Sequence, residues 1–324
     1  MEPKQRRSGD LGSVVATLAV ASLCLLVGGL LFFAGCGDDD GAAMVGGDFV
    51  ALTYNVAGLP QGISGSNPEV NTPIIGPLLN DYDLVLLQET WQTPDPNPLA
   101  PTRVYHEILA AASLHPYMSD PQPLPLNRNP DRPSAIVSDG LNRFSQFPFG
   151  AIERRRWEGC DDSAADCLSL KGFSVARTEL APGVCVDVYN LHGEAGDTEN
   201  DRDLKDRNTR DLVDFMLEYS DGRAVIVGGD FNMRLRRERD AVNLELLEDE
   251  AALTDACIAV GVIDESEIDK FFFRSSDRVT IAPLSCRFET DVFVDPQGQP
   301  LSDHDPLAVE FEWTAIADGE TDCL

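Results

Sequence analysis

Near its C-terminus the chain reads LSDHDPL, with Asp303 and His304 side by side before an alternating apolar run that includes Val309, Phe311 and Trp313. An acid beside a histidine can handle a proton; it can equally be a polar turn that caps a strand. Similar polar tips recur upstream. Asn55 follows LTY, Gln88-Glu89 follows LVLL, His192 follows VDVYNL, Asp230 and Asn232 follow AVIVGG, and Asp269 precedes KFFF. Each alone has a plain structural reading: Asn55 and Asn232 as turn residues, Asp230 as a helix cap, His192 as a hydrogen-bonded structural histidine. Their shared place at the ends of apolar runs is the stronger signal, because a rigid sheet presents side chains at its strand ends. No Cys-x-x-Cys and no His-Glu-x-x-His is present, which disfavours a structural zinc or zincin site.

The elements that must position these tips follow from the pattern. FVALTYNVAG reads as a buried strand turning at Gly58, and IIGPLLNDYDLVLLQET as a short helix, a turn and the strand Leu84–Leu87. Thr93–Pro133 reads as loop around a helix at Val104–Ala112. KGFSVARTELAPGVCVDVYNLHG is a hairpin about Pro182-Gly183. In DLKDRNTRDLVDFMLEY, helical spacing puts Leu204, Leu212, Val213, Met216 and Leu217 on one face. RAVIVGGDFN is an apolar strand with a polar end, and IDKFFFRSS and LAVEFEW are the last strands. Hairpins mixed with helix–strand crossovers predict two packed sheets with helices outside them.

The chain has 324 residues, 43% of them hydrophobic, enough for a large core. Its net charge of −30 opposes nonspecific binding to nucleic acid or anionic membrane, so a phosphate site would need a local exception such as a divalent cation. Lys4, Arg6 and Arg7 precede an uncharged stretch, Leu11 to Gly37, that reads as a secretory signal. Its end, Ala34-Gly35-Cys36, resembles the lipobox of bacterial lipoproteins, with Phe33 where Leu is usual. An uncleaved membrane anchor is the alternative. The expected organisation is a signal over 1–36 with Cys36 lipidated, an acidic tether over 37–48, one domain over 49–315 and a tail over 316–324. The protein is expected to be exported and membrane-anchored in the cell envelope, as a monomer. The six cysteines beyond Cys36 suit disulfides, Cys160–Cys167 first and Cys257–Cys286 second.

Taken in order, LTYNVAG, LVLLQET, VYNLHGEAG, VIVGGDFN, IDKFFFRSS and LSDHDPL resemble the motif series of the endonuclease/exonuclease/phosphatase superfamily, over Phe49 to Trp313. The resemblance implies an α+β fold, a four-layer αββα sandwich with two packed mixed sheets. It also implies a divalent metal, Mg²⁺ with Mn²⁺ or Ca²⁺ as alternatives. By this resemblance Asn55 and Glu89 hold the metal, with Asp303 beside it; hard oxygen donors suit Mg²⁺. Asp230 activates water, Asn232 and His192 donate to phosphoryl oxygens, and His304 binds the phosphate while Asp269 orients it. Asp291, in FETDVFVD, could fill that last role; Asp269 is preferred because IDKFFF is closer to the family pattern.

The substrate is less legible. Lys171-Gly172 resembles the Lys-Gly pair of the sphingomyelinase-like branch, making Lys171 a candidate substrate-binding residue and a phospholipid the expected substrate. Its plain reading is a solvated strand lysine. FSQFPFG could touch lipid or end a core strand, and core is preferred. A DNA or RNA endonuclease is the main alternative, with Arg154-Arg155-Arg156 and Arg234, Arg236, Arg237 and Arg239 as basic patches, the latter more simply a solvated helix neutralised by Glu238 and Asp240. A phosphomonoesterase on inositol phosphates is a third.

Overall fold

The computed structural model describes residues 44–92, 105–124, 132–161, 166–316 and 323. The predicted signal with Cys36, and the tether up to residue 43, lie outside them. Among the described residues no helix is long and apolar enough to cross a membrane.

Among the described residues twelve strands form two sheets of six. The first contains β1 (Met44–Asn55), β2 (Leu84–Gln88), β3 (Tyr117–Met118), β4 (Asn142–Ser145), β11 (Val279–Phe288) and β12 (Leu307–Ile316), in the order β11-β12-β1-β2-β4-β3. The second contains β5 (Glu153–Arg156), β6 (Gly172–Ala181), β7 (Val184–His192), β8 (Val225–Asp230), β9 (Thr254–Asp255) and β10 (Asp269–Arg274), in the order β5-β6-β7-β8-β10-β9. Helices α1 (Pro68–Leu78) and α2 (Tyr105–Ala112) pack together and share an apolar cluster with the first sheet. Helices α3 (Glu199–Tyr219) and α4 (Glu238–Ala251) do the same on the second. A short α5 (Ala256–Ala259) follows β9. This is the four-layer α+β sandwich expected.

Between the sheets, Phe49, Ala51, Leu84, Leu86, Val309 and Phe311 of the first meet Val186, Val188, Ile226 and Phe271 of the second. β1 and β8 carry apolar residues on successive positions because both faces are covered, one by the other sheet and one by helices. The register matters for function. Parallel pairing sets Asn55 beside Gln88 and His192 beside Asp230, while antiparallel pairing sets Asp269 opposite Asp230. β12 enters the first sheet with Leu307 opposite Thr53. The polar tips therefore fall at one end of both sheets. Just beneath them Gln88 donates from Nε2 to Asn190 Oδ1 at 2.7 Å, and Asn190 donates back to Leu87 O at 3.0 Å, joining the sheets. Gln88 is thus a buried strut.

Several expectations are corrected. β1 begins at Met44 rather than Phe49, because Met44–Asp48 continue the pairing with Glu312–Ile316; those residues are strand, not tether. β12 likewise runs through Ile316. β11 was not anticipated: Pro283 and an irregularity before Ser285 break its alternation. Leu217 is 45% exposed, at the margin of the face of α3 that buries Leu212, Val213 and Met216. Phe144 lies in the core, as preferred. Cys160–Cys167 and Cys257–Cys286 pair, and the third disulfide, Cys185–Cys323, ties the chain's end to β7.

Candidate active site

Asp230, at the tip of β8, is the hub. Its Oδ2 accepts from Asn55 Nδ2 at 3.1 Å and from Asn232 Nδ2 at 3.2 Å. His192 Nε2 lies 3.3 Å from the same oxygen and His304 Nε2 3.8 Å. Its Oδ1 accepts the backbone N–H of Asn232 at 2.9 Å. Asn55 also donates to Glu89 Oε1 at 3.0 Å, and its Nδ2 is 3.3 Å from His304 Nε2. Asp269 Oδ2 sits 2.6 Å from His304 Nδ1, so of the two acids considered Asp269 carries this contact; Asp291 is exposed. Asn55, Glu89, His192, Asp230, Asn232, Asp269 and His304 are brought into one contiguous cluster. Asp303 is exposed, and among the described residues no hydrogen bond or ion pair joins it to Glu89 or Asn55.

The backbone at these tips is unusual. Among the described residues the non-glycine residues with positive φ are Ala57, Glu89, Asn232 and Ala252; the first three border the cluster and the fourth ends α4. Such conformations cost about 1–3 kcal/mol each and persist where surrounding structure enforces them. Two glycines show the crowding that does so. A Cβ at Gly58 would meet Glu89 O at 2.3 Å, and one at Gly193 would meet Phe231 O at 2.3 Å. Neighbouring strand tips approach too closely there for any side chain.

The charges are out of the ordinary. Burial raises the Glu89 carboxyl, against the pull of Lys171 and the Asn55 hydrogen bond. Burial, with Lys171 and His304 nearby, holds His192 well below its usual range, so it is neutral. Burial also pulls His304 down, but the Asp269 hydrogen bond and the charges of Asp269, Asp230 and Asp303 outweigh it and push the imidazole up to about 10. Burial raises Asp269 in turn. The charge of Asp230 adds to that of Asp269 in favouring an imidazolium on His304. Lys171 is not the solvated lysine of the plain reading. It is 6% exposed, and its ammonium sits 2.7 Å from Asp166 Oδ1. Burial lowers Lys171, but Asp166, Glu89 and Asp230 raise it above its ordinary value.

Three carboxylates face one lysine and one imidazolium here, a donor set that fits an oxygen-seeking divalent cation. Glu89, 20% exposed at its side chain, is far more accessible than Asp230 at 1%. Glu89 and Asn55 would form the natural entry point, with Asn55 turning its amide over, since its Oδ1 now accepts from Ala57 N–H. Asp230, Asp269 and His304 also bring ligand atoms within 4.8 Å of one another. A cation there would have to replace the 2.6 Å contact between His304 and Asp269, the shortest in the cluster.

Several supporting residues were not anticipated. Trp91 Nε1 donates to Glu89 Oε2 at 3.4 Å and its ring lies 5.7 Å from that of His192. Ser302 Oγ donates to Asn55 O at 2.7 Å, and Trp157 Nε1 to His192 O at 2.8 Å. Ser302 and Trp91 adjoin motif residues, which was the available signal; Asp166 and Trp157 carried none. Four of the patch arginines are committed to acids. Arg154 pairs with Asp139, Arg155 with Glu153, Arg237 with Asp197, and Arg239 with Glu199, Asp203 and Asp206. Asp240 does lie 3.9 Å from Arg237, as expected of a counter-charge on the same helix, while the acids meeting Arg239 come from α3.

Residues 52–304 match the Endonuclease/Exonuclease/phosphatase family. Sphingomyelinases of Mycobacterium tuberculosis are 34% identical to the chain over 287 residues, covering 84% of this chain and 54% of theirs. The chain thus spans about half the length of the curated relatives it matches. Among solved structures, beta toxin from Staphylococcus aureus with bound magnesium ions is similar at a TM-score of 0.58 and 15% identity, covering 81% of this chain and 99% of that one. A D. rerio TDP2 complexed with single strand DNA product is similar at 0.59 and 15%, covering 82% and 98%. These two likenesses are of fold.

Proposed function

The chain belongs to the endonuclease/exonuclease/phosphatase family, and on that premise we propose that it is a Mg²⁺-dependent phosphodiesterase that cleaves a phospholipid headgroup ester, with sphingomyelin as the leading substrate. The observation that carries the reaction is the hub itself: one buried carboxylate, Asp230, held by two amides and flanked by a neutral and a charged imidazole. Asp230 orients a water and takes its proton as the oxygen attacks phosphorus. The P–O bond to the lipid alcohol breaks, and the leaving oxygen takes up a proton from solvent, to which Asp230 returns the one it removed. Asn232 and neutral His192 donate to phosphoryl oxygens, and His304, kept protonated by Asp269, binds the phosphate as charge builds. A cation at Glu89 and Asn55, when bound, neutralises negative charge on the phosphoryl group.

The substrate reading is supported by the 34% identity to sphingomyelinases and by Lys171, a buried cation that is paired with Asp166 and whose charge also reaches Glu89 and Asp230. The commitment of Arg237 and Arg239 to acidic partners weakens the nuclease alternative, since it takes half of that patch's positive charge away from a nucleic-acid backbone. The same reading takes the protein to be exported and held in the envelope through Cys36; Cys36→Ser should move it from the membrane fraction to the soluble one.

The test is phosphocholine release from sphingomyelin beside nicking of plasmid DNA, each with Mg²⁺ and with chelator. Metal-dependent release with intact plasmid is expected. Nicking without release would make the protein a nuclease and overturn the lipid assignment.

A further inference from the structure

α3 passes behind two of the loops that carry the cluster. Lys205, on its buried face, is 3% exposed, and its ammonium donates to Gly196 O and to Asn232 O, each at 2.9 Å. The two carbonyls belong to different loops: Gly196 to the one that starts at His192 after β7, Asn232 to the one that follows Asp230 after β8. Asn232 is held at φ 54 and is the residue that grips Asp230 from both its backbone and its side-chain nitrogen. Its Nδ2 also reaches Gly193 O at 3.3 Å. The carbonyl that Lys205 holds and the nitrogens that hold Asp230 are therefore on one strained residue.

Packing alone does not explain a lysine there. Burying an ammonium costs several kcal/mol unless partners compensate; Leu204 and Leu212 on the same helix face are apolar, and the polar residues buried around Lys205 are Asp201, Asn208 and Thr209. Burial does lower Lys205, with Asp240, Asp197 and Asp201 opposing. Beside it lies a cavity lined by Trp157, Leu191, Gly193, Asn208, Phe231 and Met233, and among the described residues Asn208 Nδ2 is buried without a partner. The ammonium is the brace.

We infer that Lys205 is a positioning residue: it fixes the His192–Gly196 and Asp230–Asn232 loops against each other and, through Asn232, sets the orientation of the Asp230 carboxylate. This rests on the reading of Asp230 and its neighbours as the reacting groups. The chain has four histidines, His106, His115, His192 and His304. Two of them lie within 3.8 Å of Asp230 Oδ2 and two pack against Phe144 in the first sheet, which provides an internal control. In metal-free protein with labelled histidines, Lys205→Met, which keeps the stem and removes the ammonium, should move the ring resonances of His192 and His304 and leave those of His106 and His115 in place. Lys205→Arg should largely restore them. On sphingomyelin, Lys205→Met should lower kcat by about 10- to 100-fold with KM within about twofold, because misplacement of a catalytic group costs turnover more than binding. If Lys205→Met does not fold, Lys205→Gln, which keeps one donor, is read the same way. Unmoved site histidines, all four moving together, or an unchanged kcat would each overturn the inference. A wild-type protein without phosphodiesterase activity would remove the functional reading, while the ring resonances would still report on Lys205.

Discussion

The two histidine pairs of this molecule share chemistry and differ in company. His106 and His115 stack on Phe144, with ring centroids 5.6 and 6.1 Å away. His115 meets Ser113 Oγ and Tyr82 O, and among the described residues His106 Nδ1 has no partner. Burial pushes His106 down to about 4 and lowers His115 too. The strand-tip pair is split instead: His192 is held neutral and His304 charged, because the carboxylates of Asp269 and Asp230 reach His304 through hydrogen bonding and charge. Burial by itself makes a histidine inert. Acids delivered by neighbouring strands make two adjacent imidazoles into one neutral donor and one cation, the kind of divergence that assigns acid and base roles.

The largest test of this contrast removes the hub. Asp230→Asn keeps the shape and loses the base, and turnover of a phosphodiester should fall by about 10³- to 10⁴-fold with the thermal unfolding midpoint nearly unchanged. A loss under tenfold would show that Asp230 is not the base. Next comes the pair against the pair. His304→Ala should cost about 10²-fold or more in kcat, whereas His106→Ala should leave kcat within about twofold and lower stability in urea by about 1–3 kcal/mol as a cavity opens under α2.

A subtler change sharpens why the pairs differ. Asp269→Asn should return His304 toward an ordinary histidine, so the alkaline limb of the pH–rate profile should shift down from near 10 toward neutrality. An unmoved limb would show that Asp269 does not set the charge of His304. The smallest effect is on folding, and its sign reverses between the regions. His106 has a folded pKa near 4, below the 6.5 of the unfolded chain, so its contribution is present above about pH 6.5 and is lost as pH falls toward 4. His304 is raised, so its contribution is present below about 6.5 and is lost as pH climbs toward 10. Urea midpoints across pH 4 to 10 should fall at both ends. His106→Gln should flatten only the acid side, by at most about 1.4 kcal/mol per pH unit.

What could be read from the amino-acid order was local. An apolar run that stops at a polar residue marks a strand tip, because backbone pairing and burial end together; Asn55, Glu89, His192, Asp230, Asn232, Asp269 and His304 were all found this way. The hairpin about Pro182-Gly183 and the buried face of α3, apart from Leu217, were legible for the same reason, since turn chemistry and side-chain period are properties of a few consecutive residues. Disulfides were partly legible: a short polar loop brackets Cys160 and Cys167, while nothing local ties Cys185 to Cys323.

What only the tertiary structure decided depends on which strands lie side by side. The parallel registers of β1 with β2 and of β7 with β8, and the antiparallel register of β8 with β10, turn separate tips into one cluster around Asp230. They also choose Asp269 over Asp291 for His304. Long-range pairing settled the lysines and arginines as well: Lys171, Lys205 and Arg239 meet acids or carbonyls remote in sequence, so the chain around each one reads as solvated surface. Side-chain type and spacing fix what a strand tip can offer; its charge state and partner are set by the low-dielectric space between elements, which exists only once the sheets have packed.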